Sequence, residues 1–204
     1  MVGGSGLYVN GVLNGLDEFP AVDPEIRHEI QRDYDKHGIE YLQNELQKHD
    51  PVYYSQVDTA NPQRMMRALE VSRSSKTPYS TFLTSNKKRR DFVPIVIGLE
   101  ADRAEMYDRI NRRVDMMINA GLVDEARKLY PHKHLNALQT VGYRELFSYF
   151  DGEITLDFAI SEIKKNTRRF AKRQMTWFKK TENSNWFDYK TDNAVIIDHI
   201  ANLT

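Results

Sequence analysis

Apolar positions along most of the chain recur at steps of three and four, the period of a helix with one buried face. After a Gly-rich opening, Gly3-Gly4-Ser5-Gly6, the residues Leu7, Val9, Val12, Leu13 and Leu16 predict a short helix ending near Gly15. Asp23-Pro24 offers a cap and a first-turn proline for a second helix, residues 39–46 make a third, and Asn61-Pro62 starts a fourth. Thr77-Pro78 breaks this helical run, and Lys87-Lys88-Arg89-Arg90-Asp91 reads as an exposed linker. The pattern then changes: residues 93–99 are rich in β-branched side chains and predict a strand with Pro94 inside it. Asp102 with Glu105 caps a helix over residues 102–120, carried by Met106, Ile110, Val114 and Met117 and stopped by Gly121. A shorter helix follows at 123–129, ended by Pro131, and residues 136–149 form a loop running into a helix. The last long helix begins near Thr155, with Ile160, Ile163, Thr167, Phe170, Gln174 and Trp177 on its packing side, and residues 185–189 add a second strand.

Two hundred and four residues, 40% of them apolar, describe one soluble domain or somewhat more than one. The longest apolar run, Ile95-Val96-Ile97, is far below the roughly 18 residues of a membrane span, and no signal peptide opens the chain, so a cytoplasmic protein is expected. The absence of Cys excludes disulfides and thiolate metal sites. A Gly-rich loop feeding a helix normally follows a buried strand, yet only Val2 stands before this one. The chain therefore reads as starting inside a fold.

The net charge of zero conceals a segregation: residues 61–92 sum to +6 and 161–180 to +7 in an otherwise acidic chain. In the second block Lys164, Arg168 and Lys172 form one row of the last long helix and Lys165, Arg169 and Arg173 the next. Clustered cations are the footprint of a polyanion partner, or else of solvated helix faces.

Five segments offer chemistry, each with a plainer alternative. Gly3-Gly4-Ser5-Gly6 brings backbone amides and a hydroxyl to a helix N-terminus, where an anion is favoured, though a tight turn with Ser5 as cap needs the same residues. Gln63, Arg64 and Arg67 suit phosphates or base edges while Met65 and Ala68 pack inward, unless one arginine simply pairs with Glu70. Arg109 and Arg113, four apart, place two guanidinium forks toward one pyrophosphate, or form ion pairs with Glu105, Asp108 or Asp115. Gln139-Thr140-Val141-Gly142-Tyr143-Arg144 combines the groups that stack and hydrogen-bond an extruded base, or is a loop with Tyr143 as a lid on the core. Lys172-Arg173-Gln174-Met175-Thr176-Trp177-Phe178-Lys179 suits RNA backbone contacts, with Trp177 and Phe178 expected in the core. His132 and His134 read as surface residues, and no metal site is expected.

Together, Gly3-Gly4-Ser5-Gly6-Leu7-Tyr8, Asp23-Pro24-Glu25-Ile26-Arg27, Asp50-Pro51, Asn61-Pro62-Gln63-Arg64 with Arg67-Ala68-Leu69-Glu70, Val141-Gly142-Tyr143-Arg144-Glu145, and Ala171-Lys172-Arg173-Gln174 with Thr176-Trp177-Phe178 resemble the bacterial tRNA dimethylallyltransferases, or tRNA isopentenyltransferases. The match runs in order from Val2 to about Asp188. The resemblance implies transfer of the dimethylallyl group of dimethylallyl diphosphate to N6 of the adenine 3′ of the anticodon. It implies an α/β fold, mostly helical here, with part of a P-loop NTPase-like core in residues 1–20 and 92–204 and an inserted helical tRNA-binding domain in 21–91.

Carried over by position, Ser5 falls on a reaction-centre hydroxyl that is usually Thr, and Arg113 on a diphosphate-binding arginine, with Gly3, Gly4 and Arg109 beside the same leaving group. Arg27, the stretch from Gln63 through Arg64, Met65 and Met66 to Arg67, the stretch from Gln139 to Arg144 and the stretch from Lys172 to Lys179 fall on tRNA-contacting positions. The resemblance further implies Mg²⁺ in the complete enzyme, nucleotide binding, a tRNA anticodon stem-loop as partner, and a monomer. It departs in one respect: the family's Gly-x-x-x-x-Gly-Lys-Thr loop and upstream Asp base are absent, so these residues correspond to the C-terminal two-thirds of such an enzyme and are expected not to turn over alone. A non-catalytic RNA-binding module and a prenyltransferase of free adenine nucleotide are the competing readings, the latter disfavoured by two basic blocks that a mononucleotide does not need.

Overall fold

A computed structural model describes residues 1–83 and 89–203. Its helices begin where short polar side chains cap them. Asp23 accepts from Glu25 N–H ahead of α2 (Pro24–His37), and Asn61 from Arg64 N–H ahead of α5 (Pro62–Ser75). Asp102 and Thr155 do the same for α6 (Arg103–Asn119) and α9 (Leu156–Phe178). These bonds satisfy amides that have no partner inside the helix, and proline follows Asp23 and Asn61 where its missing N–H costs nothing. The remaining helices are α1 (Gly6–Asn14), α3 (Ile39–His49), α4 (Pro51–Tyr54), α7 (Leu122–Leu129), α8 (Tyr143–Phe150) and α10 (Asn193–Ala201).

The chain divides into two compact units: Asn10–Asp91, and Met1–Val9 with Phe92–Thr204. In the first, α2, α3 and α5 close around Ile30, Leu42, Leu46, Met65, Met66, Ala68 and Leu69. In the second, α6 to α9 close around Val114, Leu122, Ala126, Leu146, Phe147, Ala159 and Ile163. Two parallel strands, β1 (Val96–Glu100) and β2 (Ser184–Asp188), pair Val96 with Ser184 through Glu100 with Asp188. A Cβ at Gly98 would stand 2.6 Å from the Trp186 ring, so glycine is what lets the indole lie across its partner strand.

Most predicted elements form within a residue or two of their expected ends, and four differences have local causes. β1 starts at Val96 rather than at 93, because Pro94 has no N–H for the ladder and Val93 remains 91% exposed. β2 is shifted one residue, with Tyr189 N–H donating to Glu100 O at its end. The helices α4 and α10 were not predicted; each is short, and neither buries a residue completely. In α9 the packing stripe is buried only at Ala159 and Ile163; Phe170 and Trp177, expected to face the core, are 47% and 39% exposed. Lys87 and Lys88 of the expected linker lie outside the described residues; Arg89 and Asp91 are exposed, and half-buried Arg90 donates to the Gly11 carbonyl. Among the described residues no helix is long and apolar enough to cross a membrane.

Candidate functional site

The Gly-rich opening is fastened to the end of α9. Gln174 Nε2 donates to the Gly4 carbonyl at 2.7 Å, and a Cβ on Gly4 would collide with that same amide. Gly6 lies over Trp177, where a Cβ would stand 2.6 to 2.8 Å from indole carbons. Glycine is thus required at position 6 by the close approach of backbone to indole, whereas a Cβ at position 4 would push the Gln174 amide out of its clamp. Ser5 is exposed, and its carbonyl accepts the first helical bond of α1, from Val9 N–H at 3.0 Å.

Beside this anchor Arg169, Lys172, Arg173, Thr176, Trp177 and Lys180 line an open groove of ≈ 470 Å³. Lys172, Arg173 and Lys180 make no ion pair among the described residues, while Lys179 turns away to Glu100 at 3.1 Å. Gln174 and Trp177, placed by resemblance among RNA contacts, are here occupied in holding the glycine loop. Thr176 Oγ1 donates to Lys172 O at 3.0 Å, and Phe178 packs edge-on against Trp177. Met175 is half-buried. Arg169 and Lys180 join the groove without having been singled out for the site; the i, i+4 spacing of Arg169 and Arg173 was the available signal.

Arg109 and Arg113 do not converge on an observed partner. Arg109 stacks 4.3 Å over the Tyr189 ring, and Arg112 pairs with Asp108 at 2.6 Å. Arg113 is exposed and has no hydrogen bond or ion pair among the described residues, which leaves its fork available. Nearby Glu105 accepts from Tyr189 and Lys190, and these donors, Lys190 first, pull its carboxyl below the usual range.

The loop before α8 is built around a buried carboxylate, Glu145, which the sequence motif contains but to which the sequence alone assigned no role. Glu145 accepts from Gly142 N–H and from Asn166 Nδ2, both at 2.8 Å, while Gly142 holds φ at +106°, where glycine alone is comfortable. Gln139, Thr140 and Arg144 are exposed, Gln139 donating to Lys133 O, and Val141 packs on the core. Tyr143 bonds Glu125 and stacks on Phe147, so it follows the lid reading rather than offering a free ring; the bond to Glu125, ahead of burial, raises its pKa.

In the other unit Gln63, Arg64, Arg67 and Arg27 are exposed. Met65 and Met66 are 0% and 5% exposed, so they serve this stretch by packing and not by touching a ligand. Arg67 pairs with Glu70, and so does Arg27. His132 and His134 are exposed, and among the described residues no three His, Asp or Glu side chains converge as a metal site.

Known proteins give this geometry a family. The profile of the IPP transferases matches residues 1–181. The tRNA dimethylallyltransferases of Flavobacterium psychrophilum and Flavobacterium johnsoniae are 62% and 60% identical over 98% of this chain and 67% of their own length. The crystal structure of full-length tRNA isopentenylpyrophosphate transferase from Bacillus halodurans superposes with a TM-score of 0.57 at 38% identity, over 97% of this chain and 62% of that one. A eukaryotic dimethylallyltransferase caught acting on tRNA shares the fold, with a TM-score of 0.74 at 21% identity over 98% of this chain and 55% of its own. This chain, spanning about two thirds of its curated relatives, belongs to the IPP transferase family.

Proposed function

We propose that this chain forms the tRNA-reading and part of the prenyl-transferring machinery of a cytoplasmic, monomeric tRNA dimethylallyltransferase, acting on dimethylallyl diphosphate and on N6 of the adenine 3′ of the anticodon. The observation that carries the reading is the Gly3-to-Gly6 loop clamped to the end of α9, beside a groove lined with cations. The family's activity suggests the reaction, and this juxtaposition supports siting it here.

An allylic diphosphate leaves readily once its negative charge is held, so donors aimed at the leaving group lower the barrier. In this proposal Gly3 and Gly4 amides with Arg109 and Arg113 serve the diphosphate, and Ser5 orients the reacting centre. The N6 amine gives up a proton, for which the family's upstream Asp is the expected acceptor, as its bond to the allylic carbon forms and the carbon–oxygen bond to diphosphate breaks. Arg27, Gln63, Arg64, Arg67, the loop from Gln139 to Arg144 and the open cations Lys172 and Arg173 hold the RNA. The unit Asn10–Asp91 then serves as the inserted tRNA-binding part, and the other unit as part of a P-loop NTPase-like core.

These 204 residues contain no Gly-x-x-x-x-Gly-Lys-Thr segment. No carboxylate cluster among the described residues fits Mg²⁺. We therefore expect the 204 residues by themselves to bind RNA without turning over; enzyme-dependent prenylation of tRNA by the purified chain would refute that half. The test of the whole reading is a salt-series titration against an anticodon stem-loop and against the same hairpin with the target adenine replaced. Tight, salt-dependent binding that weakens on replacement supports the reading, whereas no binding by a folded chain at low salt overturns it.

A further inference from the structure

Arg27 and Arg67 share an anchor that takes no part in the roles proposed above. Glu70, midway along α5, has a side chain only 4% exposed, whereas those of Arg27 and Arg67 are 68% and 44% exposed. Arg27 Nε meets one carboxylate oxygen at 3.2 Å and Arg67 Nη1 meets the other at 3.4 Å. Arg67 stands one turn before Glu70 on α5; Arg27 reaches it from α2, which packs against α5.

A carboxylate this deeply buried needs a partner, and one arginine would satisfy the need. Here there are two, and the group they form carries one surplus positive charge. Among the described residues neither guanidinium has a further hydrogen-bond or ion-pair partner, so most of the N–H groups in each fork remain open. Arg67 is additionally steadied by the Phe19 ring, 5.6 Å from its guanidinium carbon. Two forks paired to the two oxygens of one carboxylate are drawn to the same place, and part of the ordering entropy of two long side chains is spent before a ligand arrives.

We infer that Glu70 is a positioning residue for RNA binding: from beneath the surface it sets the Arg27 and Arg67 guanidiniums as a ready-made pair for a backbone phosphate. The inference rests on the RNA-binding reading proposed above, but its test is separate because it predicts a sign. Removing a negative charge beside a polyanion site strengthens binding by Coulomb's law alone; removing a positioning carboxylate weakens it.

The experiment compares Glu70→Gln with the unaltered chain in salt-series titrations against an anticodon stem-loop hairpin, with circular dichroism as the check on folding. We expect folded Glu70→Gln to bind about tenfold more weakly at low salt, with the slope of log Kd against log salt reduced by about 1 to 2. Placed in an Arg27→Ala/Arg67→Ala background, the same change should have no further effect. Unchanged or tighter binding by folded Glu70→Gln overturns the inference. Should that variant fail to fold, Arg27→Lys and Arg67→Lys decide it: both keep the charge at exposed positions and lose the planar fork. A comparable weakening supports the inference, and unaltered affinity overturns it. Absence of binding by the unaltered chain overturns the RNA-binding reading itself, an outcome distinguishable from the others.

Discussion

The two halves of α9 carry the same kind of sequence and have different fates. In the first half Lys164 pairs with Asp115 at 2.6 Å, Lys165 with Glu162, and Arg168 Nη1 donates to Asn111 at 2.6 Å, while Ala159 and Ile163 are buried. In the second half Lys172 and Arg173, with Lys180 just beyond the helix, have no ion pair among the described residues, and Phe170 and Trp177 stand exposed. Both halves alternate cations with apolar residues at helical spacing. The difference is that α6 presents Asp115 to Lys164 and Asn111 to Arg168, and α9 itself supplies Glu162 to Lys165. A basic row is therefore a candidate for polyanion binding only where its neighbours leave the charges uncancelled.

The contrast breaks most visibly through the core. Ile163→Ala, in the packed half, should lower unfolding stability by about 2 to 5 kcal/mol in a denaturant titration, and Phe170→Ala by well under that. Equal losses would mean that the second half is packed as tightly as the first. Next in size is binding: Lys172→Ala with Arg173→Ala should cut affinity for an anticodon stem-loop and reduce the salt slope by about 2, whereas Lys164→Ala with Arg168→Ala should leave the slope unaltered. Similar slopes for the two pairs would erase the distinction between cancelled and open cations.

Gln174→Ala tests the clamp within the open half. Loss of one hydrogen bond to the Gly4 carbonyl is worth about 1 kcal/mol, so amide exchange in residues 3–6 should quicken roughly fivefold while that of α8 stays as it was. No change would mean the loop is held by Trp177 alone. The smallest effect concerns an exposed pair. Glu105 has its pKa lowered in the folded state by Lys190 and then Tyr189, so its contribution is present above its ordinary value of 4.5 and lost as pH falls through the depressed one. Glu105→Gln should slightly flatten the acid limb of an unfolding curve below about pH 4.5, where an unpaired surface carboxylate would leave no trace.

Caps and periods were legible because both are local: Asp23, Asn61, Asp102 and Thr155 bond amides two or three residues away, and each marks a helix start in the sequence as in the structure. The missed α10 had its own signal in the Asp192 cap, obscured by its small and half-exposed apolar face. The site was legible in part. Its cations were countable, but Arg67, suited equally to phosphate or to Glu70, turned out to share that carboxylate with Arg27, forty-odd residues away in the chain. Tyr143, a plausible stacking ring, is held by Glu125 and Phe147 instead.

What the amino-acid order determined by itself was helix-rich secondary structure, the positions of two basic blocks and an ordered series of motifs, because propensity, capping and charge act over a few residues. Only the tertiary structure decided that Gln174 clamps Gly4 across 170 residues, that Asp115 and Asn111 of α6 engage Lys164 and Arg168 of the basic helix, and that one buried glutamate serves two arginines. Those outcomes depend on which helices pack together, and packing is settled by the burial of apolar faces, to which the polar groups must then conform.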